Sequence, residues 1–98
     1  SMPPFSRLIA LVVSAASEKK LEDFVNMMIY KAPVSHNIKV LGPVEAPIYK
    51  IRRRYRYRFL VKSATSVNTQ QYVDQWLGLF KIPASIRIKI DVDPYSFL

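Results

Sequence analysis

Residues 50–58 read KIRRRYRYR, six basic side chains in nine positions with two tyrosines set between the last three arginines. Successive side chains of a β-strand point to opposite faces. Read as one long strand, the segment puts Lys50, Arg52, Arg54, Arg56 and Arg58 on one face. Ile51, Arg53, Tyr55, Tyr57, Phe59 and Val61 take the other, and only Arg53 spoils the division. A strand with a basic face and an aromatic face belongs in a sheet that buries one side and leaves the other open.

The flanking elements supply that sheet. From Leu8 to Val13 the residues are apolar on both faces, as in a strand near the middle of a sheet. Between Ser17 and Tyr30, Leu21, Phe24, Val25, Met28 and Ile29 recur at helical spacing. Ser17 is the N-cap, Glu18 suits the first turn and Pro33 stops the helix. NIKVLGP is a short strand broken or bulged at Gly42-Pro43, and VEAPIYKI resumes an extended course into the basic segment, which runs on to Val61. SATS is a loop in which Ser66 caps a second helix. That helix carries Tyr72, Val73, Trp76, Leu77 and Phe80 inward and Asn68, Gln71, Asp74 and Gln75 outward, with Pro83 closing its exit. In SIRIKIDVDP, Ile86, Ile88, Ile90 and Val92 alternate with Arg87, Lys89, Asp91 and Asp93, and Asp93-Pro94 ends the strand. The order β-α-β-β-α-β predicts an α+β, ferredoxin-like fold: a four-stranded antiparallel sheet with two helices on one face. Right-handed crossovers place the first and third strands centrally.

Ninety-eight residues suffice for one modest core, and half of them are apolar. Ser1 and Met2 read as a cloning remnant, Pro3-Pro4 as a stiff lead-in, and residues 3–98 as a single domain cut from a longer protein. No apolar run approaches the roughly 18–20 residues of a membrane span, and LIALVV is strand-sized. The chain has no cysteine, so it forms no disulfide and no thiolate metal site. These features fit a cytoplasmic protein. A net charge of +8 on so short a chain implies attraction to a polyanion. The period of two in the basic cluster points away from a membrane-bound amphipathic helix and towards nucleic acid.

If the tyrosines meet the helices, Tyr55, Tyr57 and Phe59 are core and the open face presents Arg52, Arg54, Arg56 and Arg58, joined by Arg87 and Lys89. Such a surface can track phosphates, whose oxygens suit the forked guanidinium. An ordinary solvated face mixes both signs, whereas this run contains no acid. Tyrosines on the open face would instead be stacking platforms for bases. That arrangement puts arginines under the helices, so burial of the tyrosines is the reading adopted. Asp91 and Asp93 share a strand face but lack a third acid nearby, and His36 lacks a companion ligand, so no metal site is assigned. With only Gly42 and Gly78 there is no phosphate-binding loop, and no nucleophile–base pair can be assembled. The chain is expected to be a binding module rather than an enzyme.

Three motifs carry a resemblance. Gly42, Pro43, Ala46 and Pro47 form a GP-x-x-AP turn, Arg54 to Tyr57 an RYRY strand, and Asp91 to Pro94 a DVDP ending. Together, in this order, they resemble the C-terminal domain of the primosomal protein N′ (PriA) helicase family, over nearly the whole chain from Pro3. The resemblance implies a parent protein that is an ATP-dependent 3′-to-5′ DNA helicase of bacterial replication restart, cytoplasmic and nucleoid-associated. Its ATP, Mg²⁺ and zinc sites would lie upstream, leaving no cofactor in this segment. The implied partners are forked or duplex DNA, the acidic tail of single-stranded-DNA-binding protein, the helicase domains of the same chain and other primosome proteins. Family members can present a basic residue and, one turn on, a glutamine towards that tail; here the positions are Ser66 and Gln70, so only the glutamine matches. Arg52-Arg53-Arg54 also stands where relatives often have a glycine.

Two readings of the basic face follow. In the first, Lys50, Arg52, Arg54, Arg56, Arg58, Arg87 and Lys89 contact DNA phosphates without base specificity. In the second, the same face docks onto helicase lobes or the acidic tail. A free-standing RNA-binding domain is a third and weaker reading.

Overall fold

The computed structural model describes residues 6–64 and 67–92. In chain order the elements are β1 (Ser6–Ala15), α1 (Glu18–Lys31), β2 (Ile38–Ile51), β3 (Arg54–Ala64), α2 (Thr69–Leu77) and β4 (Arg87–Val92). The strands form one sheet in the order β2-β3-β1-β4 with antiparallel neighbours throughout. The expected ferredoxin-like α+β arrangement is therefore present, with β1 and β3 central.

Both helices start where a side chain satisfies an open backbone N–H. Ser17 Oγ accepts from the Lys20 amide at 3.2 Å at the head of α1. At α2 the cap is Asn68, whose side chain accepts from the Gln71 amide at 3.0 Å. The sequence pointed to Ser66 as this cap; α2 instead begins after Asn68, and Ser66 lies outside the described residues. Asparagine caps as well as serine does, so the polar run around it left the start ambiguous by two residues.

One face of the sheet is sealed by the helices. Ile9, Leu11 and Val13 of β1 and Phe59 and Val61 of β3 are buried beneath Leu21, Val25 and Met28 of α1 and Val73 and Trp76 of α2. Trp76 is fully buried, meets Phe59 edge-on at 5.2 Å between ring centroids, and donates its indole N–H to the Met28 carbonyl at 2.9 Å. That bond joins α2 to α1, as the ring contact joins it to the sheet, and satisfies a donor that would otherwise be stranded in the core. Tyr72 donates to the Pro33 carbonyl at 2.7 Å, and burial pushes its hydroxyl above the ordinary tyrosine pKa. The buried hydroxyls of Ser63 and Thr69 bond to each other. Ile90 and Val92 take the same side as Leu11 and Ile9, their partners in register, yet they stay exposed. β4 is an edge strand, and α2 packs over β1 and β3 rather than over it.

The basic segment is not one strand. β2 ends at Ile51, Arg52 and Arg53 form a two-residue turn with φ of 51° and 65°, and β3 starts at Arg54, opposite Ile51. Positive φ at both central residues is the geometry that lets a two-residue hairpin follow the strand twist. Asn-Gly would announce such a turn, whereas Arg-Arg gives no local signal. The break expected at Gly42-Pro43 is a bulge inside β2, where pairing with β3 shifts register between Leu41 and Val44. The Gly42-Pro43 peptide is cis and Gly42 has φ of 116°. A Cβ there would stand 2.6 Å from the Arg58 carbonyl oxygen and 3.3 Å from Phe59 Cα.

Gly42→Ala should therefore destabilise the fold by about 2–3 kcal/mol, through both unfavourable φ and collision with β3 backbone. Urea unfolding followed by the fluorescence of Trp76 measures this. A loss under about 0.5 kcal/mol, the size of an ordinary surface change, would show that the bulge relaxes freely.

Candidate nucleic-acid interface

Side-chain direction on the open face follows from register, because residues directly opposite each other share a face. Leu11 faces Phe59 and Ile9 faces Val61 on the helix side. The intervening pairs Leu8–Lys62, Ala10–Leu60, Val12–Arg58 and Ser14–Arg56 therefore lie on the open side. β4 adds Arg87 beside Ser14, Lys89 beside Val12 and Asp91 beside Ala10. β2 adds Lys39 beside Lys62, Leu41 beside Leu60, Val44 beside Arg58 and Ile51 beside Arg54.

Arg54, Arg56, Arg58, Arg87 and Lys89 are thus on one surface, as the alternation in the sequence indicated. Two further cations, Lys39 and Lys62, join them through the β2–β3 register. No local pattern marks these two, since both lie in runs that read as ordinary strand; only the pairing brings them together. Lys50 does not join. It pairs with Tyr55, and its ammonium sits 4.8 Å from the centre of that ring, on the tyrosine side of the sheet. Counting by twos from Lys50 to Arg58 fails because the turn intervenes. Arg52 also leaves the strand face and occupies the turn at its end.

The open face is not uniformly basic. Leu8, Ala10, Val12, Leu60, Leu41 and Val44 form an apolar band through its middle, flanked by the cations, with Leu41 and Val44 exposed. The apolar character of both faces of β1 agrees with its central place in the sheet; among the described residues no helix covers this side.

The tyrosines occupy the opposite face. Tyr55 and Tyr57 are half-buried and pack against the core, while Phe59 is fully buried. Tyr49 stacks on both, with ring centroids 5.4 Å away in each case. Its hydroxyl donates to Glu18 at 2.9 Å, and Tyr57 donates to Glu22 at 3.4 Å. Burial first, then hydrogen bonds with Tyr57 and Glu18, hold the Tyr49 hydroxyl far above its ordinary pKa. The two hydroxyls tie the hairpin to the first turns of α1.

At the hairpin end of the open face lies a cleft of about 460 Å³ lined by Ser14, Ala16, Ile51, Arg52, Arg53, Arg54, Arg56 and Arg87. Arg54 is fixed there: Nε donates to Ser14 Oγ at 3.1 Å and Nη2 to the Ser14 carbonyl at 2.8 Å. Arg56 Nη1 donates to the Ile48 carbonyl at 3.0 Å. Among the described residues no acid pairs with any of the five arginines of the cleft.

Gln70 lies exposed in the first turn of α2. It is on the helix side of the sheet, away from the arginines, and its expected companion Ser66 is outside the described residues. His36 is exposed in the loop between α1 and β2, and Asp93 is not among the described residues. No group of three metal-ligating side chains occurs among the described residues, and none of their helices is long and apolar enough to cross a membrane.

The family model described as primosomal protein N C-terminal domain matches residues 1–95. The replication restart protein PriA of Rickettsia typhi is 43% identical over 97 residues, covering 99% of this chain and 15% of the relative. That of Treponema pallidum is 29% identical over 98 residues, covering 98% of this chain and 15% of the relative. The PriA of Bacillus subtilis is 28% identical over 108 residues, covering 100% of this chain and 13% of the relative. The chain thus spans about 15% of the length of the first two relatives.

The clamp on Ser14 gives Arg54 a structural share as well as a surface charge. Arg54→Met should cost about 1.5–3 kcal/mol in urea unfolding, the range for a hydrogen bond made by a charged group. Arg54→Lys should recover only part of that loss, because an ammonium cannot reproduce two bonds from one planar fork. Full recovery by lysine would mean that charge alone matters at this position.

Proposed function

The chain belongs to the primosomal protein N C-terminal domain family, and from that premise we propose that it is the DNA-contacting domain of a replication-restart helicase. The observation that carries this reading is the clustering of Arg54, Arg56, Arg58, Arg87, Lys89, Lys39 and Lys62 on one sheet face, against a single acid, Asp91, among the described residues. Residues at i and i+2 on a strand are about 6.8 Å apart, and neighbouring strands about 4.8 Å apart. The cations therefore form a two-dimensional array rather than a line, suited to meeting phosphates from more than one direction. A forked or duplex DNA backbone offers that. Neither the array nor the apolar band reads base edges, so recognition is by backbone and shape.

Affinity for such a surface comes chiefly from release of condensed counterions. Four to six neutralised phosphates give a slope of log affinity against log salt of about −3 to −5. The catalytic sites of the helicase belong, on this reading, to other parts of the parent protein, and this domain supplies grip and orientation.

A second reading is supported by the apolar band. Leu41 and Val44 are exposed between cations, a combination that suits a protein surface better than a phosphate backbone. On that reading the face docks onto the helicase lobes or onto the acidic tail of single-stranded-DNA-binding protein. Gln70 would contribute to tail binding only from the other side of the sheet.

The two readings part under charge reversal. Arg56→Glu with Arg87→Glu leaves the Arg54 clamp intact and removes two cations from the face. Fluorescence anisotropy against single-stranded, duplex and forked DNA should show at least a tenfold loss of affinity and a salt slope shallower by about 2. Unchanged DNA affinity in this variant, or wild-type binding weaker than about 10⁻⁴ M at physiological salt, would leave the face to a protein partner.

A further inference from the structure

We propose that the arginine cleft at the β2–β3 turn is a discrete site for a terminal phosphomonoester of a nucleic-acid strand, separate in its ligand from the flat sheet face. The assignment of the phosphate to a nucleic-acid strand rests on the DNA reading above; the presence of a phosphate-binding cleft does not.

Four features carry this proposal. The cleft gathers Arg52, Arg53, Arg54, Arg56 and Arg87 around Ser14, with no carboxylate among the described residues that line it. A phosphomonoester carries about −1.5 to −2 charges near neutrality, against −1 for a diester. The attraction to a fixed cluster of cations scales with that charge. Secondly, the cluster is pre-positioned. Arg54 is bonded twice to Ser14 and Arg56 once to the Ile48 carbonyl, leaving N–H groups of both guanidiniums uncommitted. A guanidinium fixed before binding loses less conformational entropy when it meets its anion.

Thirdly, the turn is built against backbone preference. Arg52 and Arg53 hold φ of 51° and 65°, a region that costs an ordinary side chain more than it costs asparagine or glycine. Consecutive residues strained in this way mark a place where side-chain chemistry outweighs local comfort. What these two side chains add is positive charge at the mouth of the cleft. Finally, the shape discriminates. A hollow of about 460 Å³ admits a phosphate group with its sugar. A duplex backbone, stiff over a length far larger than this domain, passes over the hollow and rests on the sheet. A strand end can enter.

The test compares two single-stranded oligonucleotides of one sequence, one with a 5′-phosphate and one with a 5′-hydroxyl, by anisotropy, alongside inorganic phosphate followed by NMR shifts of residues 51–56. The key variant is Arg52→Asn with Arg53→Gly, which keeps the turn in its preferred chemistry while removing two cations. We expect the phosphorylated strand to bind at least fivefold tighter to the wild type and the preference to vanish in the variant. The variant should also melt about 4 °C or more higher, since relieving the turn stabilises the fold. This rise separates loss of binding from loss of folding. Arg87→Gln, on a different strand, should reduce the preference independently.

Equal binding of the two oligonucleotides to the wild type would overturn the proposal while leaving DNA contact through the sheet face intact. A preference that survives Arg52→Asn with Arg53→Gly would place the phosphate elsewhere and overturn it too. If neither strand binds but inorganic phosphate still shifts residues 51–56, the strand assignment fails together with the DNA reading, and the cleft serves a different phosphorylated ligand.

Discussion

The turn at Arg52–Arg53 decides which way every side chain of β3 points. With Ile51 opposite Arg54, the next residues alternate so that Phe59 and Val61 enter the core while Arg56, Arg58 and Lys62 leave it. A slip of one residue would drive arginines under the helices and bring phenylalanine into water. The penalty for that exchange is several kcal/mol, since burying a guanidinium without a partner is costly and exposing Phe59 forfeits about 1.5–3 kcal/mol of hydrophobic stabilisation. Trp76 reinforces the choice by packing edge-on against Phe59 and bonding to Met28 of the other helix. The register is therefore held from the core side, and the arrangement of cations on the open face is its consequence.

Much of this could be read from the residues themselves. The helical periodicity of Leu21, Phe24, Val25 and Met28, with Ser17 as cap, has a local cause and emerges in place. So does the alternation from Arg54 to Val61, and with it the core position of Phe59. The failures share a different character. Lys50 and Arg52 were misplaced because a turn made of two arginines has no chemical signature; the strands on either side impose it. Lys39 and Lys62 were invisible because they meet only across β2 and β3, twenty-three positions apart in sequence. The parts of the candidate site that depend on one strand were legible, and those that depend on pairing were not.

The open face combines two surfaces that are usually kept apart. Cations at its margins suit a polyanion, while Leu8, Val12, Leu60, Leu41 and Val44 suit an apolar partner. The geometry lets both be used. The apolar band runs along the part of the face towards Leu8 and Leu60, whereas the arginines concentrate towards Ser14 and the turn. The chain spans about 15% of its relatives' length, and on the docking reading the other domains of the parent protein would meet this face. Contact through the apolar half would leave the arginine half available for DNA, so the two readings of the basic face need not compete for the same residues.

Strain and charge at the turn are linked by the same constraint. The twist of the β2–β3 pair demands positive φ at both turn residues, whatever their identity. Asparagine and glycine would meet that demand at lower cost but would leave the end of the sheet neutral. Arginine meets it at higher cost and brings two guanidiniums beside Arg54, Arg56 and Arg87. Like charges gathered so closely repel one another, which destabilises the unliganded fold further. A bound anion removes that repulsion, so free energy withheld from stability reappears as affinity. Because the core beneath is sealed by Trp76 and Phe59, the fold can carry this local penalty without losing its register.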